Sequence, residues 1–166
     1  MNPVILFPAP REAVPGGLRS RIRILLADAS ARVRAIVYDL VESLQVPISV
    51  SACSDALEAL ILGSDLHPSL VLIGEHLTGL PRRELAWRLL SRDPDLRVLY
   101  LTADPDRALT ARDASVGIRG VLHEDRLAAE LAPILAKLAP TRDPAPPGRH
   151  PDPTTGHDGK ADIGPT

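Results

Sequence analysis

Short aliphatic runs, each cut off at a polar residue or a glycine, constrain this chain more than any other feature. Residues 23–27 read RILLA and deliver Asp28, Ala29 and Ser30. Residues 70–73, LVLI, deliver Gly74, Glu75 and His76. Residues 98–101, VLYL, deliver Thr102 and Ala103, and residues 120–123, GVLH, deliver Glu124 and Asp125. Runs so short and so continuously apolar suit strands covered on both faces, as in a parallel sheet. A further strand is expected after Pro47, over residues 48–52.

Between these runs the apolar spacing changes to three and four. Val33, Ile36, Val37, Leu40 and Leu44 mark one helix, and Ala56, Leu57, Ala59, Leu60 and Leu62 mark a second. The second is expected to open on Ser54 or Asp55 and to close near Gly63. Pro81 suits the first turn of a third helix around Leu85, Leu89 and Leu90. A fourth is expected to run from Asp104-Pro105 to about Val116, with Gly117 as its C-cap, and a fifth covers residues 127–138. Pro133 predicts a kink or a break in that last helix, because it removes a backbone donor and crowds the preceding turn.

Five strands alternating with five helices predict an α/β fold. It is a flavodoxin-like (βα)5 doubly wound sandwich, with a parallel sheet in the order 2-1-3-4-5. Functional groups in such folds collect at the carboxyl ends of the strands, beside the switch point between strands 1 and 3. Asp28, Ala29, Gly74, Thr102 and Glu124 are therefore expected around one crevice.

The 166 residues suffice for one domain with tails. Residues 1–20 form an irregular lead-in, residues 21–138 the domain, and the proline-rich residues 139–166 a segment too polar to offset its ordering entropy. One Phe, one Trp and two Tyr leave few rings for stacking on bases, and a net charge of −2 offers no basic field. Direct nucleic acid binding is therefore not expected, and no run approaches a membrane span. The single cysteine, Cys53, precludes an internal disulfide and suits a cytoplasmic protein. It is expected to pack at the end of strand 2 as a small buried hydrophobe.

The order and spacing of these segments resemble the receiver domain of two-component response regulators. His67-Pro68-Ser69-Leu70-Val71-Leu72-Ile73 is similar to the approach to that family's phosphoacceptor, and Leu77-Thr78-Gly79-Leu80 to the turn after it. Leu101-Thr102-Ala103 and Gly117-Ile118-Arg119-Gly120 resemble two further family motifs. The resemblance implies a pocket with an acidic pair, a phosphorylated Asp, a Thr or Ser and a Lys, working with Mg²⁺. Here those places hold Asp28/Ala29, Gly74, Thr102 and Glu124.

Each departure removes a specific piece of chemistry. Gly74 has no side chain to attack phosphorus. Asp28 without a second carboxylate at Ala29 is a weak Mg²⁺ ligand, since hard cations want several oxygens. Glu124 puts an anion where a cation would steady the phosphoryl group. Val121 stands where the family has a switching aromatic, so Thr102 is expected to act as a helix N-cap or core-edge hydroxyl. Glu75 is the remaining rescue acceptor beside Asp28, although a solvated loop acid is the expected role.

Asp28 and Glu124 are expected to pair with nearby arginines, the alternative being that they raise one another's pKa or share a cation. The five histidines show no metal-ligand spacing, so no metal site is expected from them. Arg82, Arg83, Arg88 and Arg92, like Arg11, Arg19, Arg21 and Arg23, read as solvated faces. These features together predict a non-enzymatic, phosphorylation-independent protein-interaction adaptor in a phosphorelay context, needing no cofactor. The resemblance implies a docking face of helix 4, strand 5 and helix 5, drawing on Arg107, Ala111, Ala114, Arg119 and Val121. Its partner would be a histidine kinase, a phosphotransfer protein, another regulator or a second copy. The alternatives are a relay element phosphorylated on Asp28 or Glu75, and a small-ligand sensor using the space at Gly74.

Overall fold

The aliphatic runs form strands, buried at residues 70–73 and 98–101 and half-buried at the 120–123 edge. The computed structural model describes residues 21–139. Its elements run β1 (Ile22–Ala27), α1 (Ala31–Ser43), β2 (Ile48–Cys53), α2 (Ala56–Leu66), β3 (Leu70–Ile73), α3 (Arg82–Arg92), β4 (Arg97–Thr102), α4 (Ala111–Val116) and β5 (Gly120–His123). A single 3₁₀ turn, Glu124–Arg126, then leads into α5 (Leu127–Leu138). The sheet is parallel throughout, in the order β2-β1-β3-β4-β5. The flavodoxin-like expectation holds in every strand.

Alternation along each strand divides the core into two layers. Leu25, Ala27, Val71, Ile73, Val98 and Tyr100 face α2 and α3. Ile24, Leu26, Leu70, Leu72, Leu99 and Leu101 face α1 and α5. Fully burying an aliphatic side chain contributes roughly 1.5–3 kcal/mol, so doubly covered strands hold the sheet firmly. The register pairs Ala27 with both Cys53 and Ile73, and Ile73 with Tyr100. That alignment brings the strand ends level along one edge.

Three helices depart from expectation. α2 does not close at Gly63 but continues to Leu66 and ends on His67 in the left-handed region, φ 44°. Gly63 serves a close approach instead: a Cβ there would lie 2.6 Å from Leu89 Cδ2 of α3. α4 does not begin at Asp104. The Thr102 hydroxyl accepts from Asp104 N–H and the Asp104 carboxylate from Asp106 N–H, which offers this backbone a local alternative to helix. The helix starts only where Thr110 and Asp113 form a capping box, and Gly117 closes it as expected, at φ 104°. α5 runs through Pro133 without a break, anchored by the buried Leu127, Leu131 and Leu135.

Asp55 is the N-cap of α2, through Leu57 N–H. Cys53 is buried, and burial chiefly pushes its thiol up to about 11. Among the described residues no helix is long and apolar enough to cross a membrane. The expectations for residues 1–20 and 140–166, including Arg11 and Arg19, lie outside the described residues.

Candidate functional site

Three of the five strands end in a buried polar side chain within a few residues of the sheet. Asp28 directly follows β1, Thr102 ends β4, and Glu124 opens the turn after β5. Asp28 and Thr102 are fully buried and Glu124 is 9% exposed. Gly74 follows β3, its N–H bonded to the Ala27 carbonyl at 3.0 Å. The predicted residues thus share one edge, but they do not act as one cluster.

The Asp28 carboxylate lies in the volume that a side chain at position 74 would need. A Cβ built on Gly74 would stand 1.4 Å from Asp28 Oδ2. The carboxylate is held there by Ser30 N–H, which donates to Oδ1 at 2.6 Å, and more distantly by His76 N–H at 3.4 Å. Ser30 in turn caps α1 through Val33 N–H, so one chain of bonds fixes the β1–α1 corner. Ala29 is exposed and brings no polar group.

The expected arginine partner of Asp28 and Glu124 is a histidine instead. Arg34 does reach Asp28, but it donates to the backbone carbonyl, at 3.0 and 3.1 Å. The His76 ring projects over the carboxylates, with Nδ1 3.6 Å from Asp28 Oδ1 and 4.0 Å from Glu124 Oε1. Local spacing could not reveal this, because the three residues come from three different strand ends. Topology is the signal: His76, three residues beyond β3, lies near both the end of β1 and the end of β5.

Thr102 faces the other way. Its hydroxyl donates to Glu75 at 2.6 Å, and Ala103 N–H and Arg82 (3.7 Å) approach the same carboxylate. The Thr102 bond chiefly holds the Glu75 carboxyl below its ordinary 4.5, against the opposing effect of burial. Glu75 is thus an exposed loop acid, as expected, but a tethered one, and Thr102 caps no helix.

Arg82 also stacks over the ring of Tyr100, 4.6 Å from its centroid. Tyr100 is buried beside Val121 in the sheet register, with its hydroxyl unpartnered. Burial chiefly pushes that hydroxyl up to about 12. The ring at this corner of the fold thus stands on β4, while β5 contributes the half-buried Val121.

The arginines expected on solvated faces are exposed or half-exposed, and several also make ties at the surface. Arg83 bonds the buried Asp113 at 3.2 Å, Arg92 bonds Ser64 at 2.7 Å, and Arg88 pairs with Glu84 one turn away. On the expected docking face, Arg107 is engaged by Asp113 at 3.8 Å, whereas Ala111, Ala114 and Arg119 are exposed. Arg119 lines a cleft of about 480 Å³ with Arg97 and Lys137, at the opposite, amino edge of the sheet.

The residues present do not fit the Mg²⁺ that the resemblance implies. Ala29 and Gly74 offer no side-chain oxygen, and an imidazole stands among the remaining donors. Mg²⁺ binds oxygen in near-octahedral geometry and has little use for that nitrogen.

No protein-family profile and no curated protein matches the sequence. Solved structures match in fold. A two-component response regulator of the LuxR family from Aurantimonas sp. SI85-9A1 is 25% identical, with a TM-score of 0.60 over 72% of this chain and 85% of its own. The signal receiver domain of an HD domain-containing protein from Pseudomonas fluorescens Pf-5 is 24% identical, with a TM-score of 0.58 over 70% and 93%. The response regulator domain of Thermotoga maritima CheB is 21% identical, with a TM-score of 0.59 over 70% and 95%. The fold of this chain is that of response regulator receiver domains.

Proposed function

We propose that this chain is a receiver-like signalling domain without a phosphoacceptor, acting as a phosphorylation-independent, non-catalytic adaptor in a two-component or phosphorelay context. One observation carries this reading: the Asp28 carboxylate occupies the place of a side chain at Gly74. The pocket has closed over the lost acceptor, so function shifts to the surfaces.

The two rivals are weakened by the same geometry. Asp28 is fully buried and bonded to Ser30 N–H, which suits a structural acid better than an attacking one. Glu75 is engaged by Thr102 and Ala103. A ligand sensor needs the volume at Gly74, and Asp28 already fills it.

The partner is a histidine kinase, a phosphotransfer protein or another regulator. Two faces are open to it. The α4–β5–α5 face presents Ala111, Ala114 and Arg119. The larger exposed apolar side chains, however, stand on α2 (Leu57, Ile61) and α3 (Trp87). The test measures binding to purified kinase and phosphotransfer domains, and self-association by sedimentation, without any phosphodonor. Leu57→Asp with Ile61→Asp probes one face, and Ala114→Arg with Arg119→Glu probes the other. The adaptor reading expects binding without a phosphodonor that one pair of substitutions weakens at least about tenfold, the loss typical of an interface hot spot. Binding that arises only after treatment with acetyl phosphate would overturn it.

A further inference from the structure

Two carboxylates and an imidazole converge where the strand ends meet, and one of their oxygens has no partner. One donor atom from each of Asp28, His76 and Glu124 lies within 4.8 Å of the other two. Glu124 is 9% exposed, yet its Oε1 is buried without a hydrogen bond. The His76 imidazole approaches it, with Nδ1 at 4.0 Å, too far for a hydrogen bond. A buried, unpaired carboxylate oxygen is costly, and it faces the same point as the other two donors.

We infer that Asp28, His76 and Glu124 form a binding site for a borderline divalent transition-metal cation, of which Zn²⁺ is the type. This site does not depend on the adaptor reading. Donors on one Zn²⁺ stand roughly 3.3 Å apart, given bonds of about 2.0–2.1 Å at tetrahedral angles. The 3.6 Å and 4.0 Å separations from His76 to the two carboxylates lie near that spacing, and the whole donor set spans no more than 4.8 Å. Mixed nitrogen and oxygen donors select such a cation over Mg²⁺.

The surroundings are already arranged for it. Ser30 N–H and His76 N–H orient the Asp28 carboxylate, as the outer partners of a metal-bound carboxylate do. His76 is 53% exposed in its side chain, so the ion has a path in and an open position for water. Gly74 is needed here too: any side chain there would displace Asp28 from the ligand set. The bound ion would tie together the ends of β1, β3 and β5, fixing by coordination an edge that has no phosphoryl group to hold it.

Isothermal titration with Zn²⁺, and visible absorption with Co²⁺ as a spectroscopic probe, test this on the full chain. The expected result is one saturable equivalent, a rise in melting temperature with Zn²⁺, and no displacement by millimolar Mg²⁺. His76→Gln and Glu124→Gln each lower affinity at least about tenfold, on the scale of losing a ligand or its support. His76 is exposed, so His76→Gln retains the fold, and its thermal unfolding without metal verifies that. Three results would overturn the site: no binding, binding unchanged in His76→Gln (ions held by histidines elsewhere in the chain), or Mg²⁺ bound as tightly as Zn²⁺. None of them bears on partner binding, which is measured without metal.

Discussion

Adding one methyl group at Gly74 would place a carbon 1.4 Å from Asp28 Oδ2, so a buried carboxylate, not the backbone, must give way. Gly74→Ala should therefore destabilise the fold by about 1–3 kcal/mol, the usual cost of overpacking a core. Chemical denaturation reads this loss. In the double variant with Asp28→Ala the two effects should fall short of their sum, because removing the carboxylate removes the clash. Gly74→Asp alone is not expected to restore an acceptor, since the new side chain and Asp28 claim the same volume. Thr102 supplies a second test. Thr102→Val deletes the bond that chiefly lowers the Glu75 carboxyl, so Glu75 should titrate closer to its ordinary 4.5. Carboxyl-carbon NMR of Glu75 measures the shift, and an unchanged titration would show that Arg82 and Ala103 suffice.

α4 is the element where charge rather than apolar burial sets the structure. Asp113 is 1% exposed, accepts from Arg83 and Thr110, and closes the capping box. Burial pushes its carboxyl up, but the bonds from Thr110 and Arg83 outweigh this and hold it below the ordinary 3.8. A carboxyl lowered in the folded state contributes stability that is complete above the unfolded-state value. That contribution is lost as pH falls through the lowered one. Wild type should thus lose stability more steeply than Asp113→Asn as pH falls through and below the ordinary 3.8, with the two curves converging at low pH. At pH 7 the variant should be less stable by about 1–3 kcal/mol, as for a broken buried hydrogen bond to a charged group.

The same element marks how far sequence reasoning reached. Strands were legible because continuous aliphatic runs have few alternatives, and sheet order followed from handedness. The start of α4 was not legible. Asp104-Pro105 carries a helix-opening signal, while Thr102 and Asp104 spend their side chains on turns that compete with it. The positions of Asp28, Gly74, Thr102 and Glu124 along one edge were readable from strand ends alone. Their pairings were not, because His76 and Glu75 are assigned only once the packing between β1, β3, β4 and β5 is known.

Across the described residues, two core layers hold a sheet whose carboxyl edge is closed by internal contacts. Asp28 is turned toward Gly74 and His76, Thr102 is bonded to Glu75, and Val121 packs half-buried beside Tyr100. A receiver that responds to phosphorylation needs an acceptor, a cation beside it and a hydroxyl free to turn toward the phosphate. On the proposed reading Gly74 offers no acceptor, Glu124 stands in the cation's place, and the Thr102 hydroxyl is engaged by Glu75. The most direct test is an amide NMR titration of the full chain with Mg²⁺ followed by beryllofluoride, a mimic of the acyl phosphate. The account predicts no saturable beryllofluoride-dependent shift at Gly74, Thr102 or Glu124. Saturable shifts there, spreading to Val121 and α4, would contradict it and return the chain to the phosphorylated relay.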